Sequence, residues 1–255
     1  MEIIMTKVLM YGCNGFMGHV ICDLIKDMDQ VEVAAGVDVK AVEQASFPVY
    51  TSLEDVDVDV DVIIDFSAAA AVDAVLDYAG AKKIPLVECT TGLSEDQLAH
   101  LNEVSREVAV LRSANMSLGV NTLLKLVRAA VAVLGQAGFD IDIVEKHHRR
   151  KLDAPSGTAI ALADAINEAA GGKYDYVYDR SQRRMSRPAE EIGISAVRGG
   201  TIVGEHEVIF AGTDEVIEFK HTAYSRAVFG KGAIQAAIFL KDQPAGLYDM
   251  SDVIG

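Results

Sequence analysis

Residues Lys7-Val8-Leu9-Met10-Tyr11-Gly12-Cys13-Asn14-Gly15-Phe16-Met17-Gly18 decide the fold, because an apolar run breaks at a glycine turn and resumes with helical spacing. A strand that passes through G-x-x-G-x-x-G into a helix is the first half of a βαβ unit. Glycines at these positions permit a tight turn, close approach of backbone to a pyrophosphate, and close packing of helix on strand. The helix start offers N–H groups to the phosphates. Outward from this stretch, apolar runs and helical segments keep alternating, which predicts a parallel sheet. The spacing predicts strands over Lys7–Tyr11, Val31–Val37, Val62–Phe66, Leu86–Cys89 and Val108–Leu111, and helices over Phe16–Lys26, Ala69–Gly80 and Ser94–Glu107. The last helix opens on Ser94 with Gln97 three residues on, a capping box. Asp38 ends the second strand about 20 residues past Gly18, where a carboxylate accepts from both ribose hydroxyls of an adenosine. It repels a 2′-phosphate and favours NADH, whereas Lys40 can pair with that phosphate and permit NADPH.

Beyond residue 117 the pattern changes. A helix is predicted over Val120–Leu134, a strand over Phe139–His147 and a helix over Ser156–Ala170, N-capped by Ser156 after Pro155. Three β-rich runs follow without intervening helices, Glu191–Val197, Thr201–Phe210 and Val216–Tyr224, and Ala233–Leu240 reads as a closing helix. The expected fold is α/β: a Rossmann-type doubly wound parallel sheet, formed by residues 1–117 plus 228–255 as a dinucleotide-binding domain, with a second α+β domain on a mixed sheet over 118–227.

Composition bounds the partners. The 255 residues carry 23 Lys+Arg against 38 Asp+Glu, a net charge of −15, which argues against nucleic acid or an anionic membrane as partner. Cys13, Cys22 and Cys89 are odd in number and lack CxxC spacing, so neither a disulfide framework nor a metal site is expected, and a reducing cytoplasm fits. Lys7 and Gly12 arrive before a signal-peptide core is complete, and no apolar run reaches membrane-spanning length. The acidic repeat Glu54–Asp61 reads as a solvated strand edge or connector, since it lacks the glycine turn of a calcium loop.

Two further loops follow predicted strands on the same edge of the sheet, Cys89-Thr90-Thr91-Gly92 and Ser113-Ala114-Asn115-Met116. Their small hydroxyl and amide residues can hydrogen-bond a nicotinamide or equally form ordinary polar turns. Cys89 reads as a packed small hydrophobe rather than a nucleophile, with no His or cation beside it. The densest chemistry is Glu145-Lys146-His147-His148-Arg149-Arg150-Lys151-Leu152-Asp153-Ala154-Pro155-Ser156-Gly157-Thr158. Four cations and two histidines before a helix start suit a small substrate bearing carboxylates: the cations neutralise it, the helix N-terminus donates N–H groups, and His or Lys moves a proton. Arg180, Arg183, Arg184 and Arg187 lie in an aperiodic segment that reads as a mobile surface loop. A semialdehyde dehydrogenase would need a cysteine beside a base, and a non-catalytic NADH sensor an output module; the sequence shows neither.

At these residues the chain resembles the dihydrodipicolinate (4-hydroxy-tetrahydrodipicolinate) reductases. Glu145 through Ala159 meets the family signature E-x-H-H-x-x-K-x-D-A-P-S-G-T-A, and the likeness extends to Thr90-Thr91-Gly92, Ala114-Asn115, Ser117-x-Gly119-Val120-Asn121, Val197-Arg198 and Val203-Gly204-Glu205-His206. The resemblance implies catalytic roles for His147 and Lys151, and substrate contacts from His148, Ser156, Gly157 and Thr158. It implies cofactor contacts from Gly12, Cys13, Asn14, Gly15, Phe16, Met17, Asp38, Cys89, Thr90, Thr91, Ser113, Ala114, Asn115 and Met116. It further implies a small dicarboxylate substrate, NADH or NADPH as reductant, and a homotetramer joined through the second domain, which also binds substrate. Phe16 stands where the family usually has Arg, Val39 where many members have a basic residue, and Cys89 where glycine is common. The first two weaken the expectation of 2′-phosphate binding.

Overall fold

The computed structural model describes residues 5–40 and 46–255, which form two compact units, the described residues up to 117 with 227–255, and 118–226. In the first unit, β1 (Thr6–Tyr11), β2 (Val31–Val37), β3 (Val49–Tyr50), β4 (Val62–Asp65), β5 (Leu86–Glu88) and β6 (Ala109–Arg112) alternate with α1 (Phe16–Ile25), α2 (Val72–Lys82) and α3 (Glu95–Val104). The second unit holds α4 (Leu118–Leu134), β7 (Asp140–His147), α5 (Gly157–Ala169), β8 (Asp175–Val177), β9 (Glu191–Arg198), β10 (Gly204–Ala211) and β11 (Val216–Ala223). The chain then returns to the first unit with α6 (Ala227–Leu240), β12 (Gly246–Tyr248) and α7 (Met250–Ile254).

The first sheet has the order β12-β6-β5-β4-β1-β2-β3, and every pairing in it is parallel. A sheet covered on both faces needs apolar side chains in both directions, and β4 shows this with Val62, Ile63 and Ile64 all 0% exposed. One face packs on α1 and α6 through Ile21, Ile234 and Leu240; the other packs on α2 and α3 through Val75, Leu76 and Leu101. The strand order reverses at β1, which lies between β2 and β4, so the carboxyl ends of β1 and β4 flank the crevice where ligands bind in such sheets. The second sheet, β11-β10-β7-β9-β8, is mixed: β10 is antiparallel to β7 and β11, while β9 is parallel to β7 and β8. Its core of Ile141, Ile143, Ile192 and Phe210 packs with Val127 of α4 and Leu162 of α5.

Several expected elements shift. The helix from Ala69 begins with a 3-10 turn, Ala69–Ala71, before α2. The run from Thr201 becomes a strand only at Gly204, and the closing helix starts at Ala227 instead of Ala233. The acidic repeat is a 3-10 turn, Leu53–Asp55, followed by an irregular connector in which Val56, Val58 and Val60 pack inward and Asp57, Asp59 and Asp61 are exposed. The capping box at Ser94 and Gln97 is formed, with N–H and side-chain bonds of 3.2 and 3.1 Å. Among the described residues no helix is long and apolar enough to cross a membrane, no His/Cys/Asp/Glu cluster suits a metal ion, and the three cysteines are free.

Candidate active site

The turn after β1 takes the shape its glycines allow. Gly12 has φ +80°, and a Cβ there would meet the Phe66 carbonyl oxygen at 2.7 Å, so the backbone of β4 can approach only a glycine. The Gly12 N–H donates to Val37 O at 2.8 Å, and Gly15 is the N-cap of α1, ahead of Phe16 and Met17. Asp38 faces this turn. Its Oδ2 accepts the Asn14 N–H at 2.9 Å, its Oδ1 accepts the Val39 N–H at 2.8 Å, and the Asn14 amide donates to Lys40 O at 2.7 Å. Asp38 thus stands fixed on the wall of a cavity of about 970 Å3 that runs from Gly12 and Asn14 to Thr51 and Ala74. Glycine backbone, a helix start and an oriented carboxylate around a cavity of this size fit the pyrophosphate and ribose of a dinucleotide. Phe16 is 63% and Val39 88% exposed.

The other expected cofactor residues, Cys13 in the turn after β1 and the loops at the carboxyl ends of β5 and β6, do not all present side chains. Cys13 is buried against Gly36, and burial first, then Asp38, pushes its thiol up to about 12. Met116 is 5% exposed and packs into the core, so only its backbone is offered to a ligand. Cys89 packs on the same core, its thiol pushed well up by burial and then by Glu88 and Asp65, which makes it no nucleophile. Thr90 is 7% exposed, whereas Thr91 and Ala114 are exposed and Ser113 and Asn115 half-buried; Asn115 Oδ1 accepts the Ser117 N–H at 2.8 Å.

In the second unit, side chains converge where β7 ends and α5 begins. Glu145 is wholly buried yet fully used: Arg198 Nη1 and Nη2 donate to its two oxygens at 2.7 Å each, the Ser156 N–H donates to Oε1 at 2.9 Å, and His147 Nδ1 meets Oε2 at 2.6 Å. Burial alone would raise the Glu145 carboxyl, but these donors hold it below the usual range. Strand register explains the assembly. Glu145 and His147 alternate onto one face of β7; His206 of β10 stands opposite Glu145, and Arg198 of β9 beside His147. The His147 and His206 rings meet edge to face with centroids 5.1 Å apart. Burial lowers His147 despite Glu145, and Lys151 and Arg198 push it further down. A carboxylate partner can only accept, so neutral His147 carries its proton on Nδ1 and leaves Nε2 as a base.

Lys151 Nζ pairs with Asp153 at 2.9 Å and is 22% exposed, while Arg149 and Arg150 are exposed. His148 is half-buried, with an Nδ1 that meets no partner among the described residues. Ser156 is engaged within the chain. Its N–H serves Glu145, its Oγ caps α5 through the Ala159 N–H at 3.2 Å, and that Oγ also meets His206 Nε2 at 3.0 Å. A 2% exposed side chain so engaged positions the start of α5.

The arginine segment is not the unattached loop expected from its aperiodic sequence. Arg180 and Arg183 bind Glu191 at 2.5 and 2.6 Å, and Arg187 pairs with Asp142 and Asp140. Buried Glu191 on β9 and half-buried Asp140 and Asp142 on β7 hold these cations, and no periodicity signals such long-range pairing. Glu145, Arg198 and His206 stand in the quoted motifs without an assigned role for a related reason: their roles come from register between β7, β9 and β10. The alternate spacing of Glu145 and His147 is the one local sign of it.

The geometry agrees with what known proteins show. A family model described as dihydrodipicolinate reductase, N-terminus, matches residues 6–116, and one described as dihydrodipicolinate reductase, C-terminus, matches 119–254. A 4-hydroxy-tetrahydrodipicolinate reductase of Caldanaerobacter subterraneus is 52% identical over 250 residues, covering 98% of each chain, and that of Clostridium tetani is 44% identical, covering 97% of this chain and 96% of its own. Among solved structures, a dipicolinate-bound dihydrodipicolinate reductase from Paenisporosarcina sp. TG-14 superposes with a TM-score of 0.80 at 22% identity, over 96% of this chain and 98% of that one, which shows the fold. With both halves matched and relatives this similar over their whole length, the chain belongs to the dihydrodipicolinate reductase family.

Proposed function

We propose that the chain reduces 4-hydroxy-tetrahydrodipicolinate to tetrahydrodipicolinate and water, in diaminopimelate and lysine biosynthesis, with NADH preferred and NADPH tolerated; the substrate's hydroxyl leaves as water, and one hydride and one proton add to the conjugated ring that remains. The observation that carries this reading is the cluster at the end of β7, where Glu145 and Arg198 lock His147 beside a cationic loop and a helix N-terminus. The Gly12–Met17 turn and Asp38 hold the pyrophosphate and adenosine ribose, and the Cys89–Thr91 and Ser113–Met116 loops the nicotinamide end. When bound, the cofactor supplies a hydride to an unsaturated carbon of the substrate ring.

This chain's residues do the rest. The N–H groups of Gly157 and Thr158, with His148 and the loop cations, neutralise the substrate carboxylates. Reduction leaves electron density that must take up one proton. Lys151, an ammonium held by Asp153, donates it, and His147, neutral with Nε2 open, returns a proton to that site from solvent. Surrounding cations stabilise the developing anion. Exposed Phe16 and Val39 beside Asp38 offer no charge to a 2′-phosphate, which supports NADH over NADPH. A homotetramer in the cytoplasm belongs to the same reading.

A coupled assay tests it. Substrate made from pyruvate and aspartate semialdehyde by the preceding synthase is offered with NADH or NADPH while nicotinamide absorbance is followed. Substrate-dependent oxidation, faster at limiting NADH than at equal NADPH, is expected. No oxidation with either reductant overturns the reading.

A further inference from the structure

We propose that Glu88 and Asp65 share one buried proton, and that this carboxyl–carboxylate pair positions the Cys89–Gly92 turn that holds the nicotinamide end. The inference rests on the cofactor reading of that turn. Asp65 ends β4, Glu88 ends β5, and the two are register partners in the parallel ladder. With Ile63 and Leu86 they share the sheet face covered by α2 and α3. They are 0% and 1% exposed.

Each carboxyl spends one oxygen on the chain that follows it. Asp65 Oδ1 accepts the Ser67 N–H, and Glu88 Oε1 the Thr90 N–H, both at 2.7 Å. The Cys89 N–H donates to the Asp65 carbonyl at 3.0 Å, so the two acids tie the Thr90 turn to the Phe66–Ser67 wall of the cofactor cavity. The other oxygens, Asp65 Oδ2 and Glu88 Oε2, are buried without a well-formed hydrogen bond among the described residues, as are the neighbouring Ser67 and Thr90 hydroxyls, and the two carboxyls lie within hydrogen-bond reach of each other. Two anions placed so would both be unsatisfied. One proton resolves the arrangement, with the Glu88 carboxyl donating to the Asp65 carboxylate.

The surroundings offer no counter-charge. Tyr11 of β1, register neighbour of Asp65, is itself raised by burial, Asp65 and Asp38. Arg112 of β6, register neighbour of Glu88, is exposed and ion-paired to neither acid among the described residues. Cys89 is held as a thiol, and across α2 and α3 His100 is engaged by Asp73 and Asp77. Burial, then the Asp65 charge, raises Glu88 to about 9, and burial raises Asp65 as well. Loss of the shared proton leaves two adjacent buried anions, whose repulsion releases the turn.

The test uses the full chain. Infrared spectroscopy of the cofactor-free protein at pH 7 should show a protonated carboxyl C=O band that Glu88→Gln removes, because the amide then donates to Asp65 permanently. NADH fluorescence titrations should give a wild-type dissociation constant that rises about tenfold by pH 10, as the competent fraction falls. The same ratio should stay near one in Glu88→Gln. An alkaline rise that persists in Glu88→Gln, or a wild-type protein without the band, overturns the proposal. Asp65→Asn supplies the same comparison if the first variant does not fold. If neither folds, a wild-type band that fades in step with affinity supports it, and a band unchanged while affinity falls overturns it. Failure of wild-type protein to bind NADH or NADPH at any pH sinks the cofactor reading instead, with the shared proton still decided by the band.

Discussion

Arg198 shows how a single residue governs the site. It supplies both guanidinium donors to Glu145 and a third bond to the Asp153 carbonyl at 2.6 Å, so one side chain fixes the strand, the histidine and the loop that carries Lys151. Removing one partner of a buried pair leaves the other charge uncompensated. Arg198→Ala should therefore lower stability by about 3 kcal/mol in denaturant titrations. It should also raise the His147 pKa, read from imidazole nitrogen shifts, because Arg198 lowers it now and Glu145 would be left facing His147 alone. A His147 titration unchanged in the variant would show that the guanidinium does not set its protonation. His147 and Lys151 stand out in sequence as titratable groups in a dense basic loop. Arg198 sits 47 residues beyond Lys151, in a Val197-Arg198 pair that says nothing of its partner, since only the pairing of β7 with β9 brings it to Glu145.

The two capped helices separate structural from functional roles among elements. Ser94 caps α3 and Ser156 caps α5, each bonding the N–H three residues on at 3.2 Å. Replacing either by Ala should cost about 1 kcal/mol of stability. Only Ser156→Ala should also raise KM for the substrate in steady-state assays, as the helix start next to the cationic loop loses the Oγ contact to His206 while the Ser156 N–H still holds Glu145. Equal KM values in the two variants would remove α5 from the substrate site. Both helices were legible, because capping residues are local signals and a period of 3.6 survives over three turns. β3, β8 and β12 were not, being two or three residues long and therefore without periodicity. The early turns of α6 hid behind Gly230 and Gly232, poor helix formers, the second of which the packing requires: a Cβ on Gly232 would collide with the Met116 carbonyl oxygen.

For the whole molecule, the net charge of −15 describes the solvated surface more than the interior, where ionisable groups are held by partners or by burial. Of the basic residues that sequence groups into two islands, Lys146 binds Glu205 at 3.2 Å, Lys151 binds Asp153, and three arginines of the second island bind acids of β7 and β9. The two-unit division was legible because alternating βα segments give way to consecutive strands; the internal neutralisation was not, because ion pairs follow topology. The interior also sets an acid limit. Burial lowers His206 to about 4, so between its unfolded value near 6.5 and 4 the unfolded chain binds the extra proton. Stability is complete above that window and falls as pH drops through it, by about 3 kcal/mol at most. His206→Gln should flatten this limb in thermal unfolding between pH 6.5 and 4; an equally steep limb would place the loss elsewhere.

The most direct measurement of the central claim is substrate-dependent NADH oxidation by the wild-type protein and by Lys151→Ala and His147→Ala side by side. The account predicts turnover by the wild type and a fall in kcat of about a hundredfold or more in Lys151→Ala, the size expected for loss of a general acid, with a smaller loss in His147→Ala. Near wild-type kcat in Lys151→Ala, with turnover abolished in His147→Ala, would contradict it.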